Sequence, residues 1–562
     1  MHARWRASCL LVSLFATASA ITSAAGVTGA DDADIVVTGT RLPMTSAGLA
    51  QNVTVIERAE IQASHPSGIE DVLSRVTGIH VDQAGPAGGF MSMYLRGAEN
   101  SHLLILLDGV KLNDPTTTRG STYDLSAIDV NQIERIEVLR GPASAVYGGE
   151  ALAGVVHFIT RRTAVNGIEG SGYAAMGGDD ESSLGALLNL GNGSLQAQLN
   201  AGHAESGERG DDATLDLDTV SGSLRLVDNG WFTGGIFAAQ VERDSTGFPD
   251  DSGGPRLAVN RELTSRTSTD RRYGADLSVG DISGLQLTLK AAEFRRQASD
   301  DNAAIDAGVR FPVPAFVTDT DFRRRDVAMA LSKSYGTSGT FVAGAELADE
   351  DGQLDSVGDF FLDGSLQTLN FSLDRRTTAV FVEGRFPILS GLAAQIGVRH
   401  DRIDEGESSD SQTTPHLGLV WDLPGGSTTL KANFNKGFKP PSFFALGFPL
   451  GANPDLKPER SRNADLTLVR RIDSAGSALQ LSLFRTRYED LVDFDSDTFT
   501  NINRGTIVVQ GIEPELRLQM DEHWRVQASA SLLNIDERDG LQPLRNRPER
   551  KAAASVAYDF AG

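Results

Sequence analysis

Three groups of residues have types and spacings that could do chemistry. Glu205, Glu208, Asp211, Asp212, Asp216 and Asp218 crowd into one stretch. Hard oxygen ligands at that density suit calcium, and they equally suit an acidic, solvated loop. Phe438, Phe443, Phe444 and Phe448 gather around Pro440 and Pro441. Such rings either contact a ligand or pack beneath a loop. Asp34, Ile35, Val36, Val37, Thr38, Gly39 and Thr40 form a short β-prone run in a small-residue stretch, which by itself reads as an edge strand. The nine His show no metal-ligand spacing. The chain has no G-x-S-x-G elbow, no H-E-x-x-H pair and no G-x-x-x-x-G-K-[ST] loop, so neither a hydrolase nor a nucleotide-driven motor is signalled.

Composition narrows the classes further. A formal charge of −24, from 51 basic and 75 acidic residues, lacks the basic footprint of a nucleic-acid binder. A single cysteine, Cys9, excludes a disulfide framework and a cysteine metal site. Residues 1–25 read as a secretory signal: Arg4 and Arg6 precede a short apolar run, followed by small-residue cleavage sites at Ala18-Ser19-Ala20 or Ser23-Ala24-Ala25. That run is too short to span a bilayer, and no later stretch is long and apolar enough.

The elements that must position these residues fall into two textures. Residues 42–162 read as a small mixed α/β domain. Ser67 is placed to cap a helix with Ile69, Val72, Leu73 and Val76 on one face, and Gly78 to end it. Leu103–Leu107, Ile133–Leu139 and Val155–Thr160 read as strands. From residue 163 to 562 the chain alternates apolar and polar with period two. Leu195, Ala197 and Leu199 alternate with Gln196, Gln198 and Asn200, and Trp524, Val526 and Ala528 with Arg525, Gln527 and Ser529. Roughly 19 such segments, joined by short turns and by long Asp/Gly-rich connections, suit a membrane β-barrel. A soluble all-β protein is the alternative, although its strands would need one apolar face to fill a core.

Several motifs occur in a telling order. Tyr94-Leu95-Arg96-Gly97 precedes Leu104-Ile105-Leu106-Leu107-Asp108-Gly109-Val110. Ile133-Glu134-Arg135-Ile136-Glu137-Val138-Leu139-Arg140-Gly141-Pro142, Ser144-Ala145-Val146-Tyr147-Gly148 and Gly154-Val155-Val156-His157-Phe158-Ile159-Thr160 follow. Later come Lys436-Gly437-Phe438-Lys439-Pro440-Pro441, Asn453-Pro454-Asp455-Leu456-Lys457-Pro458-Glu459 and Gln510-Gly511-Ile512-Glu513. Together these resemble the TonB-dependent outer-membrane receptors, closest in flavour to their cobalamin and siderophore branch. His157 and Glu150 depart from the family's usual residues.

The resemblance implies a transmembrane antiparallel β-barrel of about 22 strands with a mixed α/β plug in its lumen. It implies that residues 34–41 are the Ton box, the segment that TonB and its inner-membrane motor grip, and that Arg96 and Arg140 of the plug pair with Glu459 and Glu513 of the barrel. It further implies a monomer in outer-membrane lipid that imports an extracellular small molecule or metal chelate, a ferric siderophore or cobalamin, and is not an enzyme. A carbohydrate or other nutrient is the alternative ligand, and a secreted hydrolase or a passive porin the alternative function. About 19 strands against an expected 22 leaves roughly 60 residues unaccounted for, so the sequence is expected to be a fragment.

Overall fold

The computed structural model describes residues 35–36, 38–41, 44–83, 88–162, 165–178, 181–207, 213–227, 231–249, 252–282, 284–308, 312–336, 339–473, 476–521, 523–538, 544 and 546–560. The expected signal at 1–25 lies outside them, as do Asp34 and Val37.

The N-terminal part is built on a five-stranded sheet in the order Val53–Glu57, Ile133–Arg140, Gly154–Thr160, Leu103–Leu107, Val110–Lys111. Leu103–Leu107 runs parallel to Gly154–Thr160, and the other pairs are antiparallel. Every residue of Leu103–Leu107 is buried. A strand covered on both faces has no polar side, hence its unbroken apolar run. Ile79–Gln83 and Met91–Leu95 form a separate two-stranded ribbon.

The helix spans Ile69–Leu73 and buries Ile69, Val72 and Leu73, with Val76 buried just past its end. Its ends differ from expectation. Gly68, not Ser67, is the N-cap. The Ser67 backbone N–H instead donates to the Asp71 carboxylate at 2.8 Å, so a side chain inside the helix closes the first turn. Gly78 does not terminate the helix, which stops at Leu73 with Ser74 as C-cap. Gly78 takes φ +77 at the entry to the following ribbon, where its carbonyl accepts the Arg96 N–H at 2.8 Å.

From Asn166–Met176 to Arg550–Tyr558 the described residues form one antiparallel sheet of 18 strands, each paired with its neighbour in the chain. The exception is the hairpin of Val492–Asp495 and Thr500–Asn503, whose strands pair with each other and not with the wall sheet. The sequence pattern shows about 19 segments because such a hairpin alternates like a wall strand. Strands also run long. Gln367–Leu389 has 23 residues, roughly twice what lipid requires, so fewer strands occupy the same length of chain. No backbone pairing joins the first wall strand to the last among the described residues.

The wall curls around the N-terminal part. In Glu459–Arg471, Ser461, Asn463, Asp465 and Thr467 are buried while Arg462, Ala464 and Leu466 are exposed. The polar face is buried because another part of the protein fills the lumen, as in wide plugged barrels. Inward wall residues Phe294, Phe322, Phe484 and Val509 share one apolar cluster with Ile105, Val138 and Phe158. Outward, Leu466 is 49% exposed and lies between Ala432 and Leu483 on neighbouring strands.

Leu466→Arg is therefore expected to cost roughly 2–4 kcal/mol in a lipid bilayer. The check is the urea unfolding midpoint of the protein in vesicles; an unchanged midpoint would remove Leu466 from the lipid face.

Candidate functional site

Arg96 is the centre of contact between plug and wall. It sits at φ +49, followed by Gly97 at φ +78, and this turn throws its side chain out of the plug. Its Nη2 and Nε donate to Glu513 at 2.7 and 3.1 Å, and its Nη1 donates to Asp465 at 2.7 Å. The guanidinium lies 3.9 Å from the centre of the Phe484 ring. All three charged side chains are buried. Burial opposes the charge on Arg96, but the two carboxylates outweigh it and hold the guanidinium more firmly protonated than in water. A Cβ on Gly78 would collide with the Glu513 carboxylate, so only glycine lets that oxygen come so close.

Arg140 is fully buried but mostly ties the plug to itself. It donates to the Thr77 carbonyl at 2.8 Å, to Thr54 at 2.7 Å and to Asn52 at 3.1 Å. Glu513 and Glu515 stand 3.8 and 3.6 Å away. Glu459 meets neither arginine, contrary to expectation. Lys439 lies directly opposite it on the adjoining strand and takes one carboxylate oxygen at 2.5 Å, while plug His102 and the Val492 N–H take the other at 3.1 and 3.0 Å. A cross-strand lysine in register reaches the carboxylate before any plug arginine can.

The structure adds ties that motif reading missed. Asp465 completes the Arg96 site. Tyr123 donates to Asp270 at 2.8 Å, and Asp124 pairs with Arg243 at 3.1 Å. Glu150, at φ +77, reaches wall Arg324 at 3.0 Å, and Arg324 also binds Glu350. Arg375, 3.6 Å from Glu350, donates to the Pro441 carbonyl at 2.6 Å and lies over Phe443. The available signal was a charged residue at an inward position of an alternating strand.

At the N-terminal end, Ile35–Val36 pairs with Met44–Thr45. Thr38 donates to Glu137 at 2.5 Å and lies 3.0 Å from His157 Nδ1, while the Gly109 N–H donates to His157 Nε2 at 2.9 Å. Because the Thr38 proton is committed to Glu137 and Nε2 accepts, His157 is neutral with its proton on Nδ1. Burial pushes its pKa down to about 4. Arg41 binds wall Glu346 and the Val146 carbonyl and lies 4.1 Å from the centre of the Phe381 ring.

The four phenylalanines divide. Phe438 and Phe443 are fully buried packing residues. Phe444 and Phe448 stack at 4.6 Å and face a cavity of about 460 Å³ between plug residues Ser101 and Arg119 and the wall. Of the acidic stretch, Glu208, Asp211 and Asp212 lie outside the described residues. Asp216 and Asp218 approach His203 Nδ1 at 3.6 and 2.9 Å, and Glu205 approaches its Nε2 at 3.4 Å. Donor atoms of His203, Glu205 and Asp216 all lie within 4.8 Å of one another, close enough to converge on a cation.

Two family models match this chain. Residues 203–562 match the TonB dependent receptor-like beta-barrel, and residues 46–155 match the TonB-dependent receptor plug domain. The chain belongs to the TonB-dependent receptor family. Its members are outer-membrane transporters and receptors rather than enzymes. The chain is 25% identical over 508 residues to the vitamin B12 transporter BtuB of Vibrio vulnificus, spanning 86% of this chain and 75% of that protein. In a second strain the figure is 27% over 442 residues, 77% of this chain and 66% of that one. The fold matches the ferripyoverdine receptor of the Pseudomonas aeruginosa outer membrane with a TM-score of 0.77 at 17% identity, covering 95% of this chain and 77% of that one. It matches the ferric yersiniabactin uptake receptor FyuA of Yersinia pestis with a TM-score of 0.73 at 18% identity, covering 90% and 83%.

In this TonB-dependent receptor, Glu513→Ala should leave Arg96 underpaired in a desolvated lumen. Breaking such a pair costs several kcal/mol, more than the intact pair contributes. The Arg96→Ala, Glu513→Ala cycle should show a coupling of about 0.5–3 kcal/mol, read from amide exchange on Met91–Leu95. Strict additivity would mean the two groups do not interact.

His157 gives a pH dependence. Its folded pKa, about 4, lies below the ordinary 6.5, so between these values the unfolded chain binds more protons. Stability is then fully present above pH 6.5 and falls as pH drops toward 4, by up to about 3 kcal/mol. Amide exchange on Gly154–Thr160 should show this loss, and His157→Asn should flatten it. The same pH slope in both proteins would refute the assignment.

Proposed function

We propose that this receptor imports a scarce, large ligand, a ferric siderophore or cobalamin, across the outer membrane as a monomer, and that TonB and its inner-membrane motor supply the work. One observation supports this above the rest: the plug is fastened to the wall by separate buried charge pairs, such as Arg96 with Glu513 and Glu150 with Arg324. A passive pore gains nothing from a plug. An importer needs one that seals at rest and moves under load. Polar ties can exchange partners with entering water as the plug shifts, which a purely apolar joint cannot do.

The path of the load follows the chain. The stretch 34–40, in which Ile35–Val36 is a strand, would serve as the handle by adding to a partner's sheet edge, where main-chain hydrogen bonds provide the grip. Tension then reaches Thr38 and Arg41, and beyond them Val53–Glu57. Among the described residues that strand is an edge of the plug sheet and pairs with Ile133–Arg140 alone, so it is the first to be peeled. Ligand class is supported by the relatives, one named as a vitamin B12 transporter and another solved with ferripyoverdine.

Val36→Pro tests the handle. Proline removes the N–H and fixes φ, so strand addition fails. Uptake by energised cells should be abolished while ligand binding at the cell surface persists. Uptake at the wild-type rate would show that this segment is not what the motor pulls.

A further inference from the structure

Six phenylalanines face the cavity between plug and wall in three pairs. Phe444 and Phe448 stack at 4.6 Å with their planes 16° apart, Phe494 meets Phe499 edge-on at 5.1 Å and 82°, and Phe316 lies 5.8 Å from Phe360. They come from separate stretches of the wall: the turn around Phe443–Gly447, the hairpin of Val492–Asp495 and Thr500–Asn503, and the ends of Phe316–Tyr335 and Gly339–Gly358. Phe494 is 46% and Phe499 60% exposed. Apolar surface converging on one cavity and left open to water marks a place where something else is meant to sit.

The charges around the cavity are already spoken for. Glu99 pairs with Arg547 at 3.3 Å, Glu459 with Lys439 at 2.5 Å and Asp493 with Arg504 at 2.9 Å. Arg119 donates to Ser92 at 3.4 Å and lies 4.6 Å from the centre of the Phe90 ring. Among the described residues the lining offers no group of cations for a multiply charged anion, and charge complementarity would demand one. An apolar void of ~150 Å³ accepts one benzene, so the space of about 460 Å³ can hold two or three rings of a ligand whose remainder lies outside it.

We infer that the ligand is an aryl-bearing metal chelate of low net charge, whose rings enter between the Phe444–Phe448 stack and the Phe494–Phe499 pair. This rests on the import reading above and narrows its ligand class. Aromatic rings prefer offset-stacked and edge-to-face neighbours, and the cavity walls supply both geometries.

The test uses the full chain in detergent and three probes: the ferric complex of a chelator carrying two hydroxyphenyl rings, a ferric trihydroxamate on an aliphatic backbone, and cyanocobalamin. The aryl complex should bind at least tenfold more tightly than either of the others. The double variant Phe444→Ala, Phe448→Ala should lose at least tenfold for the aryl complex and leave the trihydroxamate unmoved. Phe494→Leu keeps apolar volume without a ring and should lose several-fold, which guards against a misfolded double variant. Equal affinity for the three probes, including no measurable binding of any, overturns the inference, as does preference for cobalamin or the trihydroxamate. Uptake of the same probes by cells with and without an uncoupler separates the two readings. Ring-dependent binding without uncoupler-sensitive uptake would sink import and spare the ligand class. Uncoupler-sensitive uptake of the trihydroxamate alone would do the reverse.

Discussion

A guanidinium removed from water must be surrounded by carboxylates or it will not stay there, and Arg96 is surrounded by Glu513 and Asp465. Much of the plug's placement follows from meeting that demand. The turn at Arg96 and Gly97 adopts positive φ to aim the side chain outward, and Gly78 gives up a side chain so that Glu513 can approach. Asp465 and Glu513 come from different wall strands, Glu459–Arg471 and Thr506–Gln519, so one plug residue fixes the domain against two of them. The polar inner face of the wall is tolerable for the same reason. Its groups find partners on the plug.

The other fastenings repeat this logic. Glu150 and His157 each hold a junction: Glu150 binds wall Arg324, and His157 sits between Thr38 and Gly109. The Glu150 junction does not end there. Arg324, Glu350 and Arg375 continue it to Pro441 and Phe443, beneath the turn that carries Phe444. Charge pairs thus help to hold the plug beside the shared apolar cluster and run on to Phe443, while aromatic surface lines the neighbouring cavity. The two jobs use different chemistry, so one can vary without loosening the other.

Much of this was legible in the sequence. Period-two alternation marked the wall strands, and the all-apolar Leu103–Leu107 marked a strand buried on both faces. Arg96 and Glu513 stood out through the motifs around them, because a motif preserves which residue types must stay together even across more than 400 positions.

Partnership in space was not legible, since it depends on register and competition rather than on residue type. Glu459 went to Lys439 because strand pairing places that lysine directly opposite. Asp465 joined Arg96 although no motif flagged it. Phe438 and Phe443 became packing, while Phe444 and Phe448, a few positions along, became cavity wall. The sequence by itself determined the alternation, the buried strands and the charged residues available for fastening, because these depend on local periodicity and on side-chain chemistry. Only the tertiary structure decided which carboxylate meets which guanidinium and which ring faces open space, because a buried charge takes the nearest partner that folding delivers and a ring's role is set by what stands opposite it.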